Sequence, residues 1–251
     1  MNASFAAEVV SIERLSPSVV RIELGGGDIA QFTSTGFADE WVRLVFPNAC
    51  GDIALPGQVD GKWGTPEGVP KSPMRPYTVR RWDADRARMT VDFVVHDGGV
   101  AASWAAGADV GDRIGIANPD GRFRPPVDAE WILLLADITG LPAVGRIVEE
   151  TPPTLRTFAH LEVAVAGDEQ PHITAATAVA RWHTGFGATP EITRLAEIAR
   201  SIDLPKGQGY IWIAGEAQAV TGAREHFRDR IGFDKDRITA IGYWFLGKPR
   251  G

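Results

Sequence analysis

"EWILLLADITGLPAVGRIVEE", residues 130–150, is where the pattern of the chain changes. Trp131 to Ala136 run apolar without a break, as a strand does when both of its faces are covered. Asp137, Thr139 and Gly140 then form a turn. From Leu141 onward the apolar residues fall at helical spacing. Pro142 sits in a first helical turn, where its missing N–H costs little. Strand, turn, helix is the repeating unit of a parallel sheet.

Downstream the unit recurs. "LRTFAHLEVAVAG" (155–167), "TAVARWH" (177–183) and "GYIWIAGE" (209–216) read as further buried strands. "PEITRLAEIARS" (190–201) and "AQAVTGAREHFRDRI" (217–231) read as amphipathic helices. The terminal "ITAIGYWFLGKPRG" (238–251) is either a strand closing the sheet or an aromatic cover over a flat ligand, packing being the simpler role.

Upstream the texture differs. "FAAEVVSIERL" (5–15), "SVVRIELGG" (18–26), "DEWVRLVFP" (39–47), "RPYTVRRWD" (75–83), "RMTVDFVVH" (88–96) and "DRIGIANP" (112–119) are short strand-like runs parted by Gly, Pro and Asp. Several alternate polar with apolar residues. Six such runs predict an antiparallel barrel, with "WDADRAR" as a hairpin turn. The Gly- and Pro-rich stretch 50–73 reads as a long surface loop. "RFRPPVDAE" (122–130) marks the junction. The fold expected is a β-barrel plus α/β architecture: an antiparallel barrel over 1–125, then a parallel-sheet α/β domain over 126–251.

Composition narrows the function. The chain has 251 residues, 44% of them apolar, and a net charge of -6. That charge argues against a nucleic-acid surface, which shows a basic stripe. No apolar run approaches membrane-spanning length, so no integral membrane segment is expected. The N-terminus lacks a basic region and long apolar core, so a cytoplasmic location is expected. Cys50 is the single cysteine, which leaves no internal disulfide and no cysteine-cluster metal site. The five histidines show no HxxxH or HExxH spacing, so no metal site is expected.

Four stretches carry chemistry. In "RPYT", Arg75 and Tyr77 lie two apart and share a strand face, with Thr78 on the other. An arginine fork suits phosphate, a tyrosine ring offers stacking, and a Thr hydroxyl or N–H can bond a ring nitrogen. In "VDFVVHDGGVAASWAAG", a strand ends at His96, and Asp97, Gly98 and Gly99 turn the chain into a short helix. A Gly-rich turn at a helix start presents free N–H groups to an anion. In "LLLADITGLPAV" and "YIWIAGEAQAV", turns holding Asp137, Thr139, Gly215 and Glu216 follow buried strands, where α/β sheets bind ligands. There is no GxGxxG. Each stretch alone is as readily an ordinary strand or connection.

Taken in this order, the pieces resemble the siderophore-interacting protein family of flavin-dependent ferric-siderophore reductases, which have a ferredoxin-reductase-like fold. "RPYT" matches its Arg-x-Tyr-Thr motif. "DFVVH" with Gly99, Ala101 and Trp104 matches D-F-V-x-H followed by G-P-A-S-x-W-A. "ADITGLPAV" resembles G-D-E-T-A-L-P-A, "WIAGEAQAV" its A-G-E-A turn, and "IGYW" its Gly-Tyr-Trp. The resemblance spans nearly the whole chain and implies FAD as cofactor, with NADPH, NADH or a ferredoxin as donor and a ferric siderophore as substrate.

It implies that Arg75 binds the FAD phosphates, that Tyr77 packs on the isoalloxazine, and that Thr78 bonds near its N5. His96 and Gly98, Gly99, Val100, Ala101 and Ala102 would hold the ribityl and pyrophosphate region. Pro76, Asp92, Val94, Trp104, Leu141, Pro142, Tyr243 and Trp244 complete the implied cofactor site. Asp137, Thr139 and Gly215 would border the adenine end or the nicotinamide donor. No residue is assigned as acid or base, since electron transfer belongs to the flavin. Lys71, Arg80, Arg81, Lys248 and Arg250 are the candidates for an anionic chelate. Val100 and Ala102 depart from Pro and Ser, Ile138 from Glu, and Phe245 from a basic residue. Another flavin reductase of this fold, or a siderophore carrier without redox turnover, is the alternative.

Overall fold

The computed structural model describes residues 3–65, 67–96, 98–170, 178–185 and 193–247. Two compact units divide between Gly121 and Arg122. The first holds strands β1 (Ser4–Ser16), β2 (Val19–Gly25), β3 (Trp41–Val45), β4 (Gly57–Val59), β5 (Lys62–Gly64), β6 (Met74–Thr78), β7 (Arg81–Asp83), β8 (Arg88–Val94) and β9 (Arg113–Asp120), with helix α1 (Val100–Ala106). Seven strands form one sheet in the order β6-β3-β9-β1-β2-β8-β7. Every neighbouring pair is antiparallel.

The expected barrel is present, with seven strands where six were read. The difference lies in "RPYTVRRWD", which is two strands. β6 and β7 stand at opposite edges of the sheet. Between them the Val79 N–H donates to the Glu40 carbonyl and the Arg80 N–H to the Thr90 carbonyl. One stretch of backbone thus bonds first to the β3 side and then to the β8 side, joining the two edges. Closure of this kind removes open strand edges. Inside, the period-two pairs Ile22 and Leu24, Val42 and Leu44, Val91 and Phe93, and Ile114 and Ile116 are fully buried. Each such side chain contributes roughly 1.5–3 kcal/mol of burial.

The stretch 50–73 is more ordered than a plain loop. β4 and β5 form a hairpin within it. Asp60 (φ 49°) and Gly61 (φ 74°) both take left-handed backbone. That is the Asp-Gly turn whose twist matches a two-stranded ribbon.

The second unit holds β10 (Trp131–Asp137), α2 (Leu141–Glu150), β11 (Arg156–Val163), β12 (Ala178–Thr184), α3 (Leu195–Arg200), β13 (Gly209–Glu216), α4 (Ala217–Glu225) and β14 (Ile238–Trp244). The sheet is parallel, in the order β12-β11-β10-β13-β14. All of Trp131 to Asp137 is buried, the signature of a central strand with both faces covered. Strand order reverses between β10 and β13, which places a topological switch point at their carboxyl ends. The aromatic C-terminal run is the edge strand β14. The helix read over 217–231 is α-helical to Glu225 and continues as a π-helical turn, His226–Arg230. Of the helix read over 190–201, residues 190–192 lie outside the described residues. Among the described residues no helix is long and apolar enough to cross a membrane.

Candidate functional site

In the barrel, β6 sets Arg75 and Tyr77 opposite Leu44 and Val42 of β3, so both share the core-facing side and Thr78 takes the other. The Tyr77 ring packs at 4.6 Å on Phe93, and Phe93 lies 5.7 Å from Trp104 of α1. Burial pushes the Tyr77 phenol up, and the Arg75 charge partly offsets this. Arg75 Nη1 donates to the Met74 carbonyl at 2.7 Å. Thr78 is covered, with 6% of its surface exposed.

The β8–α1 turn supplies backbone rather than side chains. Gly98 (φ 82°) and Gly99 (φ 85°) are left-handed. A Cβ at Gly98 would meet nothing within 4 Å, and one at Gly99 would lie 3.5 Å from the His96 ring. Gly99 is the N-cap of α1 and has no side chain to accept its first N–H groups. Ala101 and Ala102 of that first turn are buried, while Val100 is exposed. Asp97 lies outside the described residues. An arginine fork, a packed phenol and an open glycine cradle at a helix start fit a flavin nucleotide, whose phosphates need close backbone approach.

Asp92 and Val94 belong to β8, Asp92 as a strut. Its carboxylate takes a two-pronged bond from Arg21 at 2.7 and 2.8 Å, and the residue is 4% exposed. Pro76 lies opposite Arg43 in the β3–β6 ladder.

In the second unit the switch point is built around Asp137, which is completely buried. Its Oδ1 accepts from the Thr139 N–H at 2.9 Å and the Thr139 hydroxyl at 2.5 Å. Its Oδ2 accepts from the Glu216 N–H at 2.9 Å and the Trp244 Nε1 at 2.8 Å. One carboxylate therefore ties the ends of β10, β13 and β14 together. Burial pushes Asp137 up, and donors from Thr139, Trp244 and Glu216 pull it down. Gly215 follows from this hub: its φ is 150°, and a Cβ there would lie 2.6 Å from Asp137 Oδ2 and 2.7 Å from Leu195 Cδ1.

Two further carboxylates matter here: Glu216, read at its turn without a role, and Glu162, which was not among the candidate residues. Glu216 caps α4, accepting from Gln218 N–H at 2.7 Å and Ala219 N–H at 2.9 Å. Glu162, paired in register with Asp137, accepts from the Thr193 hydroxyl at 2.7 Å and the Arg194 N–H at 2.5 Å. Burial raises Glu162 to about 7 against the donors from Arg194 and Thr193, with the Asp137 charge adding to the rise. The sequence signal for both was a carboxylate at the end of an apolar strand.

Tyr243 and Trp244 part company. Tyr243 lies edge-on to Trp212 at 6.3 Å, whereas Trp244 turns to Asp137. Leu141 and Pro142 are buried in the first turn of α2. Of the candidate chelate residues, Lys71 and Arg81 are exposed and Arg80 is buried at 6%. Lys248 and Arg250 lie outside the described residues.

Comparison with known proteins bears on both units. Residues 8–123 match the model of the siderophore-interacting FAD-binding domain, and residues 129–247 that of the siderophore-interacting protein. The NADPH-dependent ferric-chelate reductase of Escherichia coli is 31% identical, over 94% of this chain and 91% of its own. The ferric vibriobactin reductase ViuB of Vibrio cholerae is 29% identical over 93% of this chain and 86% of its own. A siderophore utilization protein from T. fusca superposes with a TM-score of 0.86 at 37% identity, covering 99% of this chain and 95% of that one. A ferredoxin NADP+ reductase from Neisseria gonorrhoeae shares the fold alone, at 14% identity and a TM-score of 0.67 over 96% of this chain and 99% of that one.

Proposed function

This chain belongs to the siderophore-interacting protein family, and from that premise we propose that it is an FAD-dependent ferric-siderophore reductase. The observation that carries the reading is the Arg75–Tyr77 face of β6 together with the uncapped Gly98–Gly99 turn, both within a matched FAD-binding domain.

FAD, when bound, supplies electron transfer from a two-electron nicotinamide donor to Fe(III). The chain's own residues do the holding. The Arg75 guanidinium carries several donors in a rigid fork and offers those not used by Met74 to the diphosphate. The Gly98–Gly99 backbone and the first N–H groups of α1 complete the anion contact. His96, beside Gly99, borders the ribityl chain. Tyr77, held by Phe93, presents its ring to the isoalloxazine, and Thr78 bonds near N5 through its backbone. Residues 1–125 carry FAD in this reading, and residues 126–251 meet the donor, NADPH or NADH, or a ferredoxin in their place.

The substrate is a ferric siderophore, and Lys71, Arg81, Lys248 and Arg250 attract its anionic form. Reduction frees the metal because Fe(II) is held more weakly than Fe(III) by hard oxygen donors. The work is placed in the cytoplasm, where imported chelates are opened.

The test is to mix FAD-loaded protein, NADPH and a ferric siderophore with a ferrous-specific chromophore. Fe(II) should appear only with flavin and donor together. Turnover of free flavin with inert ferric chelates would make the protein a flavin reductase instead. Tight chelate binding without flavin reduction by any donor would make it a carrier.

A further inference from the structure

Four aromatic rings form a chain of contacts in the barrel unit. Tyr77 of β6 packs on Phe93 of β8 at 4.6 Å, with 37° between the ring planes. Phe93 lies 5.7 Å from Trp104 of α1, tilted by 47°. Trp104 meets Phe46 edge-on at 5.6 Å. Phe46 stands just after β3, and its N–H donates to the Pro73 carbonyl at 2.9 Å, one residue ahead of β6. The contacts thus leave β6 at Tyr77 and return to its start at Pro73, through three other segments.

Phe93 and Phe46 are completely buried, as core residues of a barrel are. Trp104 is half-buried. It sits on a helix of seven residues, too short to be stable by itself. Ala101, Trp104, Ala105 and Ala108 fall at helical spacing and pack on the barrel core. Any apolar side chain at position 104 would serve that docking. A ring serves a further purpose. Rotation about the last torsion of a tyrosine side chain is soft, so the plane of its ring is set by its neighbours. Phe93 sets the Tyr77 plane, and Trp104 bears on Phe93 in turn.

We propose that Trp104 is a positioning residue for the flavin: it does not touch the cofactor but fixes, through Phe93, the Tyr77 ring plane on which the isoalloxazine packs. The inference rests on the flavin reading of Tyr77. It gives Trp104 a role apart from the cofactor contact that the resemblance implies for it. The potential and optical activity of a flavin depend on what its ring packs against, which is the part of the chemistry that the protein controls. Loss of the ring at position 104 therefore reaches the flavin with no contact to it removed.

The test compares wild-type protein with the W104L, W104F, Y77L and Y77L/W104L variants. Each is titrated with FAD, then read at saturation by visible circular dichroism and midpoint potential. W104L should bind FAD about tenfold more weakly, change the visible circular dichroism of the bound flavin and shift its potential. W104F keeps a ring against Phe93 and should restore all three. In the Y77L background W104L should add nothing, because the two act through one ring. If W104L does not fold, F93L takes its place in the same cycle, with the same result expected. A W104L protein with wild-type optical activity and potential, or an effect that persists undiminished in Y77L, overturns the inference and leaves the reductase reading standing. Wild-type protein that takes up no FAD overturns both.

Discussion

Two kinds of strand-turn-helix connection occur in this protein, and they treat their backbone donors in opposite ways. In the barrel, β8 leads through Gly98 and Gly99 into α1, and the N-cap glycine has no side chain to accept a hydrogen bond. In the α/β unit, β13 leads through Gly215 into α4, and Glu216 accepts from the first N–H groups itself. Asp137 does the same for the turn after β10. The topology is alike, yet the first turn has no side-chain cap and the other two satisfy their donors internally. A nucleotide proposed at the switch point would therefore meet buried carboxylates where many α/β sheets present an open helix end. This accounts for the missing GxGxxG: a turn that seats a carboxylate has no need of a glycine cradle for a pyrophosphate.

Mutations should separate the two kinds of turn. The largest effect is expected at Asp137. D137A strands the Thr139, Glu216 and Trp244 donors and should destabilise the fold by about 3–5 kcal/mol in urea titrations; a loss under 1 kcal/mol would dismantle the hub. G215A should follow, at about 2–3 kcal/mol, because its Cβ meets Asp137 Oδ2 at 2.6 Å.

Glu162 gives a pH signature. Its folded value is about 7 against an ordinary 4.5, so the unfolded chain loses its proton first. The contribution of this carboxyl to stability is then fully present below 4.5 and is lost as pH rises through about 7, by up to about 3 kcal/mol. E162Q should flatten that slope in urea midpoints measured across the window. A slope that survives unchanged assigns it to other groups.

On the barrel side the expectations invert. R75A should leave the fold intact and weaken FAD by about 1.5–3 kcal/mol for each charge-assisted bond lost, read as flavin retention on dialysis. G98A meets nothing within 4 Å, so only backbone strain of about 1–2 kcal/mol opposes it. It should impair FAD affinity more than stability, the reverse of G215A. The smallest effect belongs to the exposed pair Lys71 and Arg81. Their joint replacement by Ala should raise KM for an anionic chelate about twofold to fivefold at low salt, and less at high salt.

How much of this was legible in the sequence depends on the range of the interaction. The apolar run Trp131–Ala136 and the alternation in β2 and β8 gave both sheets, because burial follows local periodicity. Asp60-Gly61 was a readable hairpin signal inside a stretch taken as loop. The break between β6 and β7 was not readable, since Val79 and Arg80 are set by bonds to Glu40 and Thr90, on other strands. The candidate residues lie on the strand ends and turns described above, but their partners were hidden. Asp92 with Arg21 and Asp137 with Trp244 are pairs 71 and 107 residues apart, which no local pattern encodes. Trp244 and Tyr243, adjacent in sequence, diverge because neighbouring strand residues face opposite ways.

The most direct measurement is the anaerobic visible spectrum of FAD-supplemented protein, first with NADPH and then with a ferric siderophore. The account predicts bound flavin that bleaches with the donor and recovers its colour when the chelate is added. Protein that retains no flavin, or reduced flavin that the chelate fails to reoxidise, would contradict it.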